Sequence, residues 1–103
     1  MVSSFAQLVY ENCKKIPIGK VTTYGKLAEA IGKPKSARAV GTALSKNPSP
    51  ITIPCHRVVN SDGYVGKYFG KIDNKKIKLL ESEGIQVENG RIVDLPDFMY
   101  LFI

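Results

Sequence analysis

The sequence predicts a small, mostly helical α+β fold: a single domain with a winged-helix-like helix-turn-helix and a short C-terminal hairpin. Three observations carry that prediction. The chain has 103 residues, a length that suits one compact core and leaves no room for a second. Apolar residues recur at helical spacing in three successive segments before Asn47. Beyond them, Ile85, Val87 and Ile92 flank Asn89-Gly90, the residue pair favoured in two-residue hairpin turns.

Ser3 or Ser4 can cap a first helix, because a serine oxygen accepts from an otherwise orphaned backbone N–H. Phe5, Leu8, Val9, Cys13 and Ile16 then share one helical face, and Pro17 and Gly19 end it. Thr22 or Thr23 can cap a second helix with Leu27, Ala28 and Ile31 inward and Gly32 as its C-cap. Pro34 forbids continuation, and Ser36 can cap a third helix, Ala37 to Lys46, ended by Asn47-Pro48. This helix pair, about residues 23–46, has the spacing of a helix-turn-helix. Ala37, Ala39 and Gly41 would let the third helix approach another body closely, whether a partner or a packed neighbour.

A loop over residues 47–59 follows, stiffened by Pro48, Pro50 and Pro54 and feeding a strand-like Arg57-Val58-Val59. Asn60-Ser61-Asp62-Gly63 reads as a turn, and Gly66-Lys67-Tyr68-Phe69-Gly70 as a glycine-bounded loop. A fourth helix from near Asp73 to Ser82 carries Ile77, Leu79 and Leu80. The last residues, 97–103, are strongly apolar and must pack on the body or on a partner chain.

Composition narrows the class. With 44% hydrophobic and 23% charged residues the chain is not disordered. Two cysteines are too few for a disulfide framework and suit a reducing compartment. No apolar run reaches the roughly 20 residues that span a bilayer, and the N-terminal stretch lacks the features of a signal peptide. The expected location is the cytoplasm (nucleoid) or nucleus. Charge is uneven: residues 12–80 hold fourteen bases and three acids, while residues 81–103 hold one base and five acids. A basic block beside an acidic tail suits a polyanionic partner, although a solvated lysine-rich surface gives the same count.

The single histidine, His56, adjoins Cys55, one of the two cysteines. A metal site needs three or four ligands, and this pair has no second cluster to complete one. A nucleophile needs less: a thiol, a base to take its proton and an acid to orient the base. In an extended segment neighbours point to opposite sides, so contact between the two requires a bridging water or a tight turn. Taken singly, Cys55 is equally a small buried hydrophobe and His56 a satisfied core side chain. Cys13, on the apolar face of the first helix, is read as core.

The run Ile53-Pro54-Cys55-His56-Arg57-Val58-Val59 resembles the active-site signature of the O6-alkylguanine-DNA alkyltransferases, also called methylated-DNA–protein-cysteine methyltransferases. Pro17 to Gly25, Ser36 to Gly41, Asn47-Pro48, Ser61-Asp62-Gly63, Gly66-Lys67-Tyr68 and Leu79 to Gly84 extend the resemblance, in family order, over roughly residues 4 to 93. It implies the family's catalytic C-terminal domain, which moves an alkyl group from O6 of guanine in duplex DNA irreversibly to its own cysteine. By that resemblance Cys55 is the acceptor, His56 the base acting through a water, and Glu83 the acid that orients it. Asn47 ties the cysteine loop to the DNA-binding helix. Arg38 enters the stack vacated by the flipped base, and Tyr24 helps swing the nucleotide and assists protonation of the leaving guanine. Ala37, Ala39 and Gly41 bring the helix into the minor groove. Lys26, Lys33 and Lys35 would contact phosphates, an expectation that rests on their charge and not on the motif. Backbone around Cys55 and Val58, with Tyr68, holds the guanine edge, and Lys76 falls near a family lysine aimed at the pocket. No cofactor and no metal are implied; the partner is double-stranded DNA carrying O6-alkylguanine, and the chain is expected to be a monomer.

Three departures from the family pattern stand out. The N-terminal domain usual in the family is not in this chain, which bears on stability and partners more than on chemistry. Phe69 stands where many members carry a small serine; its ring either narrows the pocket against large alkyl groups or folds away. The stretch from Gly70 to Leu80 is about one residue longer, so the place of Glu83 depends on the helix compensating. An alternative is the alkyltransferase-like proteins, which bind and flag the lesion without accepting the alkyl group. Those replace the cysteine, usually with Trp, whereas this chain keeps Cys55.

Overall fold

Local signals start most of the helices. The structure, a computed structural model, describes residues 3–102. Ser3 Oγ accepts from the Ala6 N–H at 3.1 Å and opens α1 (Ser4–Cys13). Its buried stripe is Val9, Tyr10 and Cys13, continued by Ile16. Leu8, expected inward, is 40% exposed. The stripe turns because the Tyr10 hydroxyl donates to the Ala43 carbonyl at 2.7 Å, drawing that ring inward instead.

Thr23 Oγ1 accepts from Lys26 N–H and caps α2 (Tyr24–Ala30), which buries Leu27 and Ala28 and leaves Ile31 partly covered. Gly32, at φ +79°, takes the left-handed position that turns the chain toward α3 (Ala37–Ser45). Ser36 does not cap α3 with its side chain, as was expected; its hydroxyl donates to the Lys33 carbonyl at 2.6 Å within the turn. Asp73 caps α4 (Asn74–Ser82) through the Lys75 N–H.

Arg57 is not in a strand. Cys55–Arg57 form a single 3₁₀ turn, and only Val58–Val59 are extended, as β2, pairing in parallel with β1 (Thr22–Thr23). The register Thr22↔Val58 and Thr23↔Val59 sets the start of α2 beside the end of the cysteine loop. Because strand side chains alternate, Val58 enters a core shared with Val9, Leu27, Val40 and Leu44, while Val59 enters a second with Val21, Leu80, Ile85 and Ile92. The two-residue strand thus stitches the helical half to the C-terminal half.

The hairpin β3 (Val87–Glu88) and β4 (Arg91–Ile92) turns at Asn89 and Gly90, both at positive φ, the geometry that the favoured two-residue turn demands. After α5 (Leu95–Phe98) the chain runs alongside Val21: Val21 N–H donates to Phe98 O at 2.8 Å, and Tyr100 N–H to Val21 O at 2.7 Å. Tyr100 and Phe102 pack on the first core, Phe98 and Met99 on the second, and Leu101 stays exposed. The body itself therefore takes up most of the apolar tail; Ile103 lies outside the described residues. Among the described residues no helix is long and apolar enough to cross a membrane.

Candidate active site and nucleic-acid interface

Cys55 sits at the start of the 3₁₀ turn because Pro54 bends the chain: Cys55 N–H donates to Ile53 O at 2.8 Å and Arg57 N–H to Pro54 O at 2.9 Å. This is the tight turn that an extended reading of the segment lacked. The loop before it is held by Asn47, which is buried. Its Nδ2 donates to Ile53 O at 2.7 Å, and its Oδ1 accepts from Ser49 N–H at 2.8 Å. That clamp holds Ile51 at φ +72°, a conformation costly for a β-branched residue.

Cys55, 5% exposed, lines a cavity of about 570 Å³. Tyr24 from the first turn of α2, Ala37, Arg38 and Gly41 from α3, and Tyr68 and Phe69 from the following loop share its wall. Gly41 packs against Tyr24, where an added Cβ would sit at ordinary contact distance, 3.8 Å from the ring. The Phe69 ring does not fold away. It meets Tyr68 edge-on with centroids 4.7 Å apart, on a backbone at φ +53°.

Behind the thiol, His56 is fully buried, and its Nε2 lies 2.8 Å from Glu83 Oε2. Glu83 reaches it as the C-cap of α4. His56 Nδ1 meets no protein partner among the described residues. With Nε2–H donated to the carboxylate, Nδ1 is left as a bare acceptor.

Two expected positions differ. Val58 is in the core through β2 and does not line the cavity. Lys76, expected to aim into the pocket, is fully buried behind Tyr24. Its Nζ donates to Tyr24 Oη at 3.3 Å and to Lys67 O at 3.0 Å, and lies 5.6 Å from the Tyr24 ring centre. Ala39 faces out on the other flank of α3, away from Cys55; Lys26 is exposed in the first turn of α2, and Lys33 and Lys35 are exposed in the turn between α2 and α3. The sequence reading passed over Arg57. It is buried, with Nε on Glu83 Oε1 at 2.9 Å, Nη2 on Glu83 Oε2 at 2.8 Å and Nη1 on the Ile16 carbonyl at 2.7 Å. A charged residue within an otherwise apolar Val58-Val59 run was its only signal. Asn60 and Lys67 also line the cavity without having been singled out.

Burial dominates the electrostatics. It pushes the Cys55 thiol up, against the pull of the Asn47 amide and the Lys76 charge. It pushes His56 down, and the Glu83 carboxylate only partly restores it. The resting pair is therefore a neutral thiol and a neutral imidazole. Tyr24 is pushed up to about 12 by burial, with the Cys55 and Cys13 thiols adding to it, so its phenol keeps its proton. Lys76 falls to about 8, again from burial, with Cys55 acting in the opposite sense. Glu83 lies below its ordinary range: burial raises it, but the hydrogen bonds from Arg57 and His56 outweigh that. Cys13 is driven to about 12 by burial and is inert.

This arrangement is shared with known proteins. Residues 4–85 match the family described as 6-O-methylguanine DNA methyltransferase, DNA binding domain. The methylated-DNA–protein-cysteine methyltransferase of Rattus norvegicus is 47% identical over 79 residues, covering 77% of this chain and 38% of that protein. The Mycobacterium tuberculosis OGT solved in complex with DNA superposes with a TM-score of 0.76 at 43% identity, over 81% of this chain and 51% of that one. Schizosaccharomyces pombe Atl1, solved with damaged DNA containing O6-carboxymethylguanine, gives 0.83 at 36% identity over 98% of each chain. This chain spans between about a third and a half of the length of the curated relatives it matches. A family match over residues 4–85, on a fold that these solved structures share, settles the affiliation: the chain belongs to the 6-O-methylguanine DNA methyltransferase family through its DNA-binding domain.

Proposed function

We propose that this chain is a DNA-repair alkyltransferase domain, one unit over residues 1–103, that accepts an alkyl group from O6-alkylguanine on Cys55. The observation that carries the reading is one cavity lined by both the Cys55 thiol and Arg38, with the His56–Glu83 pair directly behind the thiol. A guanine inside a duplex cannot present O6 to a thiol, so the nucleotide must be extruded. Arg38, exposed on α3, is suited to fill the vacated stack while its guanidinium bonds the orphaned base. Ala37 and Gly41 allow the backbone approach that a minor-groove helix needs.

In the chemical step the Cys55 proton passes to His56 Nδ1 through a water. Sulfur attacks the alkyl carbon, and the carbon–O6 bond breaks. The guanine leaves with a proton donated by the Tyr24 phenol, and the proton taken up by His56 returns through solvent to the Tyr24 oxygen, so that both groups end neutral. Lys76, donating to Tyr24 Oη, keeps the phenol hydrogen free for that role. The product thioether carries no path back, so each molecule reacts once.

The protein is mixed with a duplex containing one O6-methylguanine and its intact mass is measured, followed by peptide mapping. One added CH2 per molecule on Cys55, absent in Cys55→Ser, is the expected result. The TM-score of 0.83 with Atl1, solved with damaged DNA, favours a second reading, a lesion-binding module. Tight binding to the modified duplex without mass gain would select it.

Phe69 sets the alkyl size. Its ring stands in the wall that Cys55 shares, on a backbone a bulky residue adopts only under strain. Phe69→Ser should raise the transfer rate from O6-benzylguanine at least tenfold relative to O6-methylguanine. An unchanged ratio in single-turnover assays would remove the ring from substrate selection.

A further inference from the structure

Three hydrogen bonds make Arg57 part of the site. Its Nε and Nη2 take both oxygens of Glu83, at 2.9 and 2.8 Å, while Nη1 is anchored on the Ile16 carbonyl just beyond α1. Glu83 Oε2 is shared: it also faces His56 Nε2 at 2.8 Å. The fork is bidentate, so the carboxylate has little rotational freedom left, and its one remaining strong direction points at the imidazole. Surface ion pairs seldom have this geometry. Arg57 is 8% exposed and spans from the C-terminal side of α1 to the end of α4.

We infer that Arg57 is a positioning residue for the transfer reaction: it fixes Glu83 so that His56 keeps its Nε2–H tautomer, and it offsets the carboxylate charge so that His56 stays neutral. Both effects serve one end. A base must be unprotonated to take the thiol proton, and a histidine beside an uncompensated buried carboxylate would hold its own proton more tightly. The charged groups that act on His56 are Glu83 at the C-cap of α4, Lys76 from α4 and Arg57 from its own turn. Burial lowers His56, the carboxylate raises it, and the two cations lower it further, so removing Arg57 shifts the balance toward imidazolium.

This inference rests on the alkyltransferase reading for its catalytic meaning, but its physical content is tested without it. His56 is the only histidine in the chain, so its nitrogen and ring-proton NMR signals are unambiguous. In the full chain the nitrogen shifts should report the Nε2–H tautomer, with a titration midpoint below the ordinary imidazole value. Arg57→Gln should raise that midpoint by about one pH unit and mix the tautomers. The acid limb of single-turnover transfer from an O6-methylguanine duplex should move by the same amount. Arg57→Lys keeps the cation without the fork. It should leave the midpoint near wild type, yet still mix the tautomers and slow transfer at pH 7 several-fold. If Arg57→Gln does not fold, the tautomer in Arg57→Lys decides. A tautomer and midpoint unchanged in whichever variant folds would overturn the inference and reduce Arg57 to a structural tie. A wild-type chain that shows the expected tautomer and midpoint but accepts no methyl group would instead refute the functional reading.

Discussion

Glu83→Ala should cost the fold about 3 kcal/mol and slow alkyl transfer at least a hundredfold. The substitution strips the acceptor from two buried donors at once. Arg57 is left with only the Ile16 carbonyl, and His56 Nε2–H with nothing. An uncompensated buried guanidinium is among the few single changes that consume a large share of a small domain's stability. The unfolding temperature should fall by roughly 10–20 °C. A loss below about 1 kcal/mol would mean that water replaces the carboxylate.

The same variant tests the acid limb of stability. Glu83 titrates below its ordinary range in the folded chain, so its stabilisation is complete above about pH 4.3 and disappears as pH falls through the folded value. His56 is also lowered, so below about pH 6.5 protons bind the unfolded chain preferentially. Both groups make wild type lose stability on acidification. Glu83→Ala should lose the carboxylate part of that slope and steepen the imidazole part, because nothing then offsets the burial that lowers His56.

Lys76→Met should move stability and chemistry in opposite directions. Lowering a buried lysine from its ordinary value to about 8 corresponds to about 3 kcal/mol spent keeping it charged at neutral pH. Methionine has a similar length and no charge, so the variant should be more stable by about 1 kcal/mol or more once the lost bond to Lys67 O is counted. That is a rise of roughly 4–8 °C in unfolding temperature. Transfer should slow about tenfold, because the ammonium pulls the Cys55 thiol down and holds Tyr24.

The pH dependence gives the sign. Between about 8 and 10.5 the unfolded chain holds the lysine proton while the folded chain releases it, so this contribution to stability rises with pH. Cys13 and Tyr24, both pushed up to about 12, destabilise wild type and variant alike at high pH, so the difference between the two curves reports Lys76 together with its coupling to Cys55. A flat difference from pH 7 to 10.5 would show that the folded chain holds the lysine proton as tightly as the unfolded chain, so that burial does not lower Lys76.

Features that depend on a few neighbouring residues could be read from the sequence. The Ser3 and Thr23 caps, the left-handed Gly32 and the Asn89-Gly90 turn are each satisfied within four residues of themselves. Expectations failed where another acceptor competes. Ser36 turned its hydroxyl to the Lys33 carbonyl three residues back, and Leu8 gave way to Tyr10 because an acceptor on the distant α3 was within reach. The Cys55-His56 step looked extended because nothing in the run of residues states that Pro54 will close a turn against Arg57 N–H.

By itself the sequence determined the helix starts, the hairpin, and the one thiol and one imidazole that stand side by side. Only the tertiary structure decided that Glu83, 27 residues from His56, would stand 2.8 Å from it. It alone decided that Arg57 would clamp that carboxylate and that Lys76 would be buried behind Tyr24 rather than solvated. The physical reason is range. Caps and turns are satisfied by bonds that span a few residues, whereas the charge on a buried arginine or lysine is tolerable only once elements far apart in the chain have closed around it and supplied its partners.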